Sequence, residues 1–180
     1  TRQSDAAIFV GGLSPALEGE EMDVPYPGFQ GGDRTDINLP QTQEGLLKAM
    51  HATGKPVVFV MLTGSALAVN WEQENLPAIL CGWYPGQHGD AVADVLFGAY
   101  NPAGRLPVTF YKSVDQLAAF EDYNMQGKTY RYFKATPLYP FGYGLSYTTF
   151  QYSDIKINKS KVNADQAVEE RRLADGLHQP

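Results

Sequence analysis

The sequence predicts an α/β fold, a mostly parallel sheet flanked by helices. Two short apolar runs, Asp5 to Val10 and Pro56 to Leu62, are stopped by Gly11-Gly12 and Gly64 and read as buried strands. Between them lies a segment of helical periodicity, the kind of connection that parallel neighbours require.

Each element has its own signal. The run Asp-Ala-Ala-Ile-Phe-Val places the first strand at Ala6 to Val10. Leu39-Pro40 then introduces QTQEGLLKAMHATG, where Leu46, Leu47 and Met50 recur at helical spacing, so a helix is expected from Gln43 to Ala52 with Gly54 as its cap. Val57 to Leu62 is the second strand, and Ala78 to Cys81, after Pro77, the third. From Asp90 to Phe97 the residues Val92, Val95 and Leu96 share one helical face before Gly98. Beyond Asn101 the texture changes to proline, glycine and tyrosine, in NPAGRLPVTFY, GKTYRYF and PLYPFGYGLSYTTF, which predicts irregular β structure at the domain edge. From Lys156 the chain is polar, with Glu169-Glu170-Arg171-Arg172. Residues 1–155 are therefore expected to form one partial α/β domain and residues 156–180 a linker or tail.

Composition excludes several classes of function. The chain has 180 residues, 43% hydrophobic and 12% aromatic, enough for a core without disulfide or metal staples. A net charge of −6, from 14 basic and 20 acidic residues, gives no footprint for nucleic acid or anionic lipid. The longest apolar run, Val57 to Leu62, is far below the roughly 20 residues of a membrane span. Cys81 is the single cysteine, so neither an intrachain disulfide nor a thiolate cluster is available, and His51, His88 and His178 lie far apart. No metal or cofactor is expected. The motifs G-x-S-x-G, G-x-x-x-x-G-K-[ST] and H-E-x-x-H are absent, and Gly11-Gly12 run into Leu-Ser-Pro rather than a helix with a third glycine. A nucleotide-binding domain has only the generic fold behind it.

What remains is the segment GGLSPALEGEEMDVPYPGFQGGDRTDINLP, which follows the carboxyl end of the first strand, where open α/β sheets bind ligands. It carries Glu18, Glu20, Glu21, Asp23, Asp33 and Asp36 with the single cation Arg34. Crowded carboxylates favour holding a proton on one of their number, which is what general-acid catalysis near neutral pH requires. A solvated acidic loop is the plainer reading of the same residues.

The motifs taken in order resemble the C-terminal half of glycoside hydrolase family 3, the β-glucosidases and β-xylosidases. They are GLSPALEGEEM, GGDRTDINLP, GKPVVFVMLTGSAL, AILCGWYPGQHGDAVADVLFGAYNPAGRLPVTF, DYNMQGKTYRYF and PLYPFGYGLSYTTF, and they cover about Asp5 to Asp154. The resemblance implies a retaining glycosidase with an aspartate nucleophile on an N-terminal (β/α)8 barrel and a glutamate acid/base on a loop of the following α/β sandwich. Laid on Glu18-Gly19-Glu20-Glu21-Met22-Asp23, the family pattern puts the acid/base at Glu20, with Glu18 the alternative. Glu21 stands where glycine is usual, and the Asp-Arg pair arrives late, as Asp33 and Arg34, in a loop-ordering or substrate-proximal role. No cofactor is implied.

The implied partners are a β-linked oligosaccharide or glycoside and a nucleophile-bearing barrel, which this sequence lacks, on the parent or another chain. The alternative is a carbohydrate-binding or structural remnant without catalysis. Thr1 is not an initiator methionine, and a core strand opens at once, so a segment of a longer enzyme is expected. An exposed sheet edge or apolar face, with self-association, should follow. The last residues resemble the linker and first strand of a truncated fibronectin-like domain. Trp71, Trp83 and Tyr84 are expected to pack in the core, and His88 to serve a turn or cap. Tyr130-Arg131-Tyr132 and Phe141 to Gly144 are expected to be structural.

Overall fold

The computed structural model describes residues 2–19, 21–165 and 170–177. In chain order its elements are β1 (Ala7–Gly12), α1 (Pro15–Glu18), β2 (Phe29–Gln30), β3 (Asp33–Arg34), α2 (Gln41–His51), β4 (Val57–Leu62), α3 (Asn70–Asn75), β5 (Ala78–Cys81), α4 (Gly89–Leu96), a 3-10 turn (Val114–Gln116), α5 (Thr129–Tyr132), β6 (Thr149–Ile157) and β7 (Glu170–Leu177). The chain divides into two compact units. The first runs to Val92 and resumes over Arg105–Tyr143; the second comprises Ala93–Gly104 and the chain from Gly144.

The first unit is built on a three-stranded sheet in the order β1-β4-β5, parallel throughout. Helix α2 connects β1 to β4, and α3 connects β4 to β5. The predicted α/β class is therefore observed. Strand pleating sends Val57, Phe59 and Met61 to one face, where each is at most 1% exposed. They join Leu47 of α2, Leu67, Val69 and Phe110 in a single cluster, and Phe9 packs on Phe59 with ring centroids 5.6 Å apart. Burial of each such side chain contributes about 1.5–3 kcal/mol. On the opposite face of β1, Ile8 and Val10 are 48% and 58% exposed. These two residues leave an exposed apolar face on β1.

Helix α2 starts two residues before the expected Gln43, because the Pro40 carbonyl accepts the first i to i−4 bond, from Glu44 (3.1 Å), and also takes up the orphan Gln43 amide (2.8 Å). Glu44 in the first turn and Lys48 and His51 in the last complement the helix dipole. Strand β1 continues past Val10 because Gly11 and Gly12 remain paired with Met61 and Leu62. The six-residue α3 has no side-chain cap, so no start signal marked it in the sequence.

The tyrosine-rich region is irregular, as expected, and pairs little. Among the described residues of Asn101 to Tyr143, pairing is confined to an isolated Phe110–Tyr139 bridge and the bonds joining Leu106 to Gly142 and Tyr143. GKTYRYF turns through the single-turn α5, where the Tyr130 ring stacks on Phe141 at 4.3 Å. Aromatic packing replaces ladder pairing here. Phe110, fully buried, sits edge-on to Trp83 and tilted against Tyr139.

In the second unit the Tyr147 hydroxyl donates to the Val95 carbonyl at 2.6 Å, and Asn101 joins the Tyr147 amide and Thr148 hydroxyl, both at 2.8 Å. Strands β6 and β7 pair antiparallel, with a register shift between Ser153 and Lys156. β6 runs across residue 155 into the stretch expected to be a linker or tail, and β7 lies within that stretch. Glu169 and His178 lie outside the described residues.

Glu72 on α3 is 2% exposed, and its Oε1 has no hydrogen-bond partner among the described residues. Burial pushes its carboxyl above the ordinary value of 4.5, with Glu44 adding to the effect while a backbone amide and Lys48 oppose it. The folded state therefore binds the proton more tightly than the unfolded chain. Stability is favoured below about pH 4.5 and is lost as pH rises through the raised folded value. Glu72→Gln should raise Tm at pH 8 by about 3–8 °C and flatten the difference between pH 4.5 and pH 8 in scanning calorimetry. A variant that keeps the parental pH slope contradicts this assignment.

Candidate active site

The site begins where β1 ends. Gly12 has φ of 127°, and a Cβ there would collide with the Leu62 carbonyl oxygen, so only glycine lets the two strands close. Gln43 of α2 clamps the same residue, accepting from the Gly12 amide (2.7 Å) and donating to its carbonyl (2.8 Å). The chain then enters α1 under a complete set of terminal signals. Ser14 caps the Leu17 amide at 3.1 Å, Pro15 opens the helix, and Gly19 closes it in the left-handed region. This single turn delivers Glu18 to the carboxyl ends of the parallel strands.

Two other loops meet Glu18 there. Ser65, after β4, donates its hydroxyl to Glu18 Oε1 at 2.6 Å. Tyr84, after β5, donates to Oε2. Gly64 makes the room, since a Cβ at that position would lie 2.5 Å from Glu18 Oε2 and 2.6 Å from the Tyr84 ring. Trp83 adopts φ of 52°, a left-handed conformation rare for a bulky residue; its ring packs edge-on to Phe110 while the next residue reaches Glu18.

Arg34 completes the cluster. Gly31 and Gly32, with φ of 58° and 83°, form the tight turn between β2 and β3, where Phe29 pairs with Arg34 and Gln30 with Asp33. From β3 the Arg34 guanidinium donates through Nη1 to Ser65 Oγ (2.7 Å) and the Ala66 carbonyl (3.3 Å). Burial lowers its pKa, and the charges of Glu18, Asp36 and Tyr84 pull the other way. For Tyr84, burial, then the hydrogen bond and charge of Glu18, push the phenol up to about 12. Arg34 also lines a cleft of about 450 Å³ with Tyr26, Phe29, Asp36, Gln41 and Glu44.

The predicted residues fare unequally. Glu20 lies outside the described residues. Its alternative, Glu18, is at the centre of the cluster, and Arg34 bonds the Ser65 hydroxyl and the Ala66 carbonyl. Asp33 takes part through backbone pairing, with an exposed side chain. Trp71, against His51 and under Lys48, and Trp83 do pack as expected. Tyr84 does not: it is 40% exposed, and its hydroxyl is engaged by Glu18. The His88 amide bonds the Pro85 carbonyl in a turn. Among the described residues no group of three or more histidine, cysteine or acidic side chains could hold a metal. Sequence reasoning missed Ser65 and Tyr84, whose signal was the glycine preceding Ser65 and the Gly-Trp-Tyr step after β5.

The fold and site define a class: an α/β domain with a fixed carboxyl at the ligand-binding edge of its sheet. The chain belongs to glycosyl hydrolase family 3, whose C-terminal domain matches residues 1–147. It is similar to a xylan 1,4-β-xylosidase of Xylanibacter ruminicola, 58% identical over 158 residues, covering 87% of this chain and 18% of that protein. It is 39% identical to a periplasmic β-glucosidase of Salmonella typhimurium, covering 91% and 22% of the two chains. Among solved structures, a β-glucosidase from Erythrobacter marinus superposes with a TM-score of 0.69 at 36% identity, covering 93% and 22%. A family 3 exo-β-xylosidase gives 0.71 at 34% identity, covering 85% and 20%. The chain thus spans about a fifth of the length of these relatives.

Gly64→Ala should push the Glu18 carboxylate and the Tyr84 ring apart. The Tyr84 phenol, followed by its ¹³Cζ resonance, is then expected to ionise at lower pH than about 12. An unchanged midpoint would mean that the loops do not meet as described.

Proposed function

We propose that this chain supplies the acid/base of a retaining β-glycosidase that removes terminal β-D-xylosyl or β-D-glucosyl residues. The observation that carries the reading is the Glu18 carboxyl, held by Ser65 and Tyr84 at the carboxyl edge of the parallel sheet. Membership in family 3 and the names of its relatives support the reaction class. Glu18 is the described carboxyl at this edge and Glu20 the position that the family pattern assigns, and the same experiment tests both.

Retaining hydrolysis needs two carboxyl groups about 5 Å apart. In this proposal a barrel aspartate attacks the anomeric carbon, the glycosidic C–O bond breaks, and the Glu18 proton passes to the departing oxygen. Water then attacks the glycosyl-enzyme ester as Glu18 takes back a proton, releasing the sugar with its configuration retained. The barrel is the partner this requires, and Ile8 and Val10 leave apolar surface for association of the chain.

In the enzyme that unites this chain with the barrel, Glu18→Ala should lower turnover on alkyl glycosides by roughly 100-fold or more. Aryl glycosides with good leaving groups, whose departure needs little protonation, should lose much less. Glu20→Ala and Glu21→Ala should lack that leaving-group dependence. If Glu20→Ala shows it instead, Glu20 is the acid; if none of the three does, the loop has another role.

A further inference from the structure

The two oxygens of Glu18 are not equivalent. Oε1 accepts from Ser65, whose own oxygen accepts from Arg34 Nη1 at 2.7 Å. A hydroxyl has one proton, and with Arg34 donating to the serine oxygen, that proton is committed to Glu18. Oε1 is thereby kept an acceptor, because a proton placed on it would point at the serine hydrogen. Among the described residues Oε2 is bonded by the Tyr84 hydroxyl, which can turn between donating and accepting. Tyr84 is also the more open side, at 40% exposure, whereas Ser65 and Arg34 are half-buried.

We infer that Oε2 is the oxygen that carries the exchangeable proton of Glu18, and that Tyr84 is a positioning residue whose hydroxyl reverses from donor to acceptor when that proton arrives. When a proton binds Oε2, the Tyr84 O–H rotates away, and its oxygen accepts from the new acid. When the Oε2–H bond breaks and the proton leaves with the departing alcohol, Tyr84 donates again. The titratable and charged groups facing Glu18 are Arg34 from β3, with Asp36 behind it, and Tyr84 from the loop after β5. The catalytic meaning rests on the reading of Glu18 as acid/base; the oxygen assignment needs only the network.

The first test uses the 180-residue chain itself, with ¹³C-labelled glutamate and tyrosine assigned from Glu18→Gln and Tyr84→Phe. As pH is lowered, Tyr84 Cζ should show an inflection at the midpoint of the Glu18 Cδ titration. That inflection should persist in Ser65→Ala. A flat Tyr84 resonance, or an inflection abolished by Ser65→Ala, overturns the assignment. The second test uses the barrel-containing enzyme. Tyr84→Phe keeps the ring but should reduce kcat about tenfold, the scale of one hydrogen bond to a charged group, with KM little changed. It should also move the alkaline limb of kcat/KM to higher pH, since of the two bonds lost the one to the charged carboxylate is stronger than the one to the neutral acid. A rate loss with an unmoved limb overturns the positioning role. If the resonances couple but Glu18→Ala lacks leaving-group dependence, the acid/base reading fails and the oxygen assignment stands.

Discussion

The close approach of β1 and β4 at their carboxyl ends governs the rest of the first unit. Gly12 lies against the Leu62 carbonyl so tightly that no side chain fits, and the Leu13 amide continues the pairing to the same oxygen at 2.8 Å. Gln43 locks this junction from α2 by bonding both the amide and the carbonyl of Gly12. Because the strands end together, the loops that follow β1, β4 and β5 emerge at one edge. Glu18, Ser65 and Tyr84, distant in sequence, are brought within hydrogen-bonding reach by that register.

Arg34 is the second determinant, and its contribution is directional as much as electrostatic. Its two donations, to Ser65 Oγ and the Ala66 carbonyl, tie the Gly31-Gly32 hairpin to the loop after β4. A planar guanidinium suits this better than an ammonium, because one rigid group orients a hydroxyl and binds a backbone carbonyl at once. Its Nε, buried and without a partner among the described residues, is the price of that placement. The charge remains useful because Glu18 and Asp36 lie close enough to oppose the desolvation.

The sheet was legible in the sequence because its signals are local. Val57 to Leu62 and Ala78 to Cys81 are apolar runs bounded by proline and glycine, and they form β4 and β5 at the expected residues. The irregular region after Asn101 was less legible, since its order comes from long-range ring contacts, Phe110 with Trp83 and Tyr139, that no periodicity encodes. The acidic loop was found by its carboxylates and by family resemblance, but composition could not choose among them. Tyr84 was misjudged for the same reason: an aromatic beside a strand is usually core, and only the left-handed turn at Trp83 sends it to Glu18. Glu18 stands out in space because its neighbours come from 47 and 66 residues away.

The central claim is that Glu18 is the proton carrier of a retaining reaction. The most direct test is to identify the product formed when the Glu18→Ala enzyme, joined to its nucleophile-bearing barrel, turns over an activated aryl glycoside in sodium azide. Azide needs no base assistance to attack the glycosyl-enzyme intermediate, so a β-glycosyl azide, recognised by proton NMR, should accumulate while Glu20→Ala yields free sugar. Free sugar alone from Glu18→Ala, or an azide adduct of inverted configuration, would contradict the account.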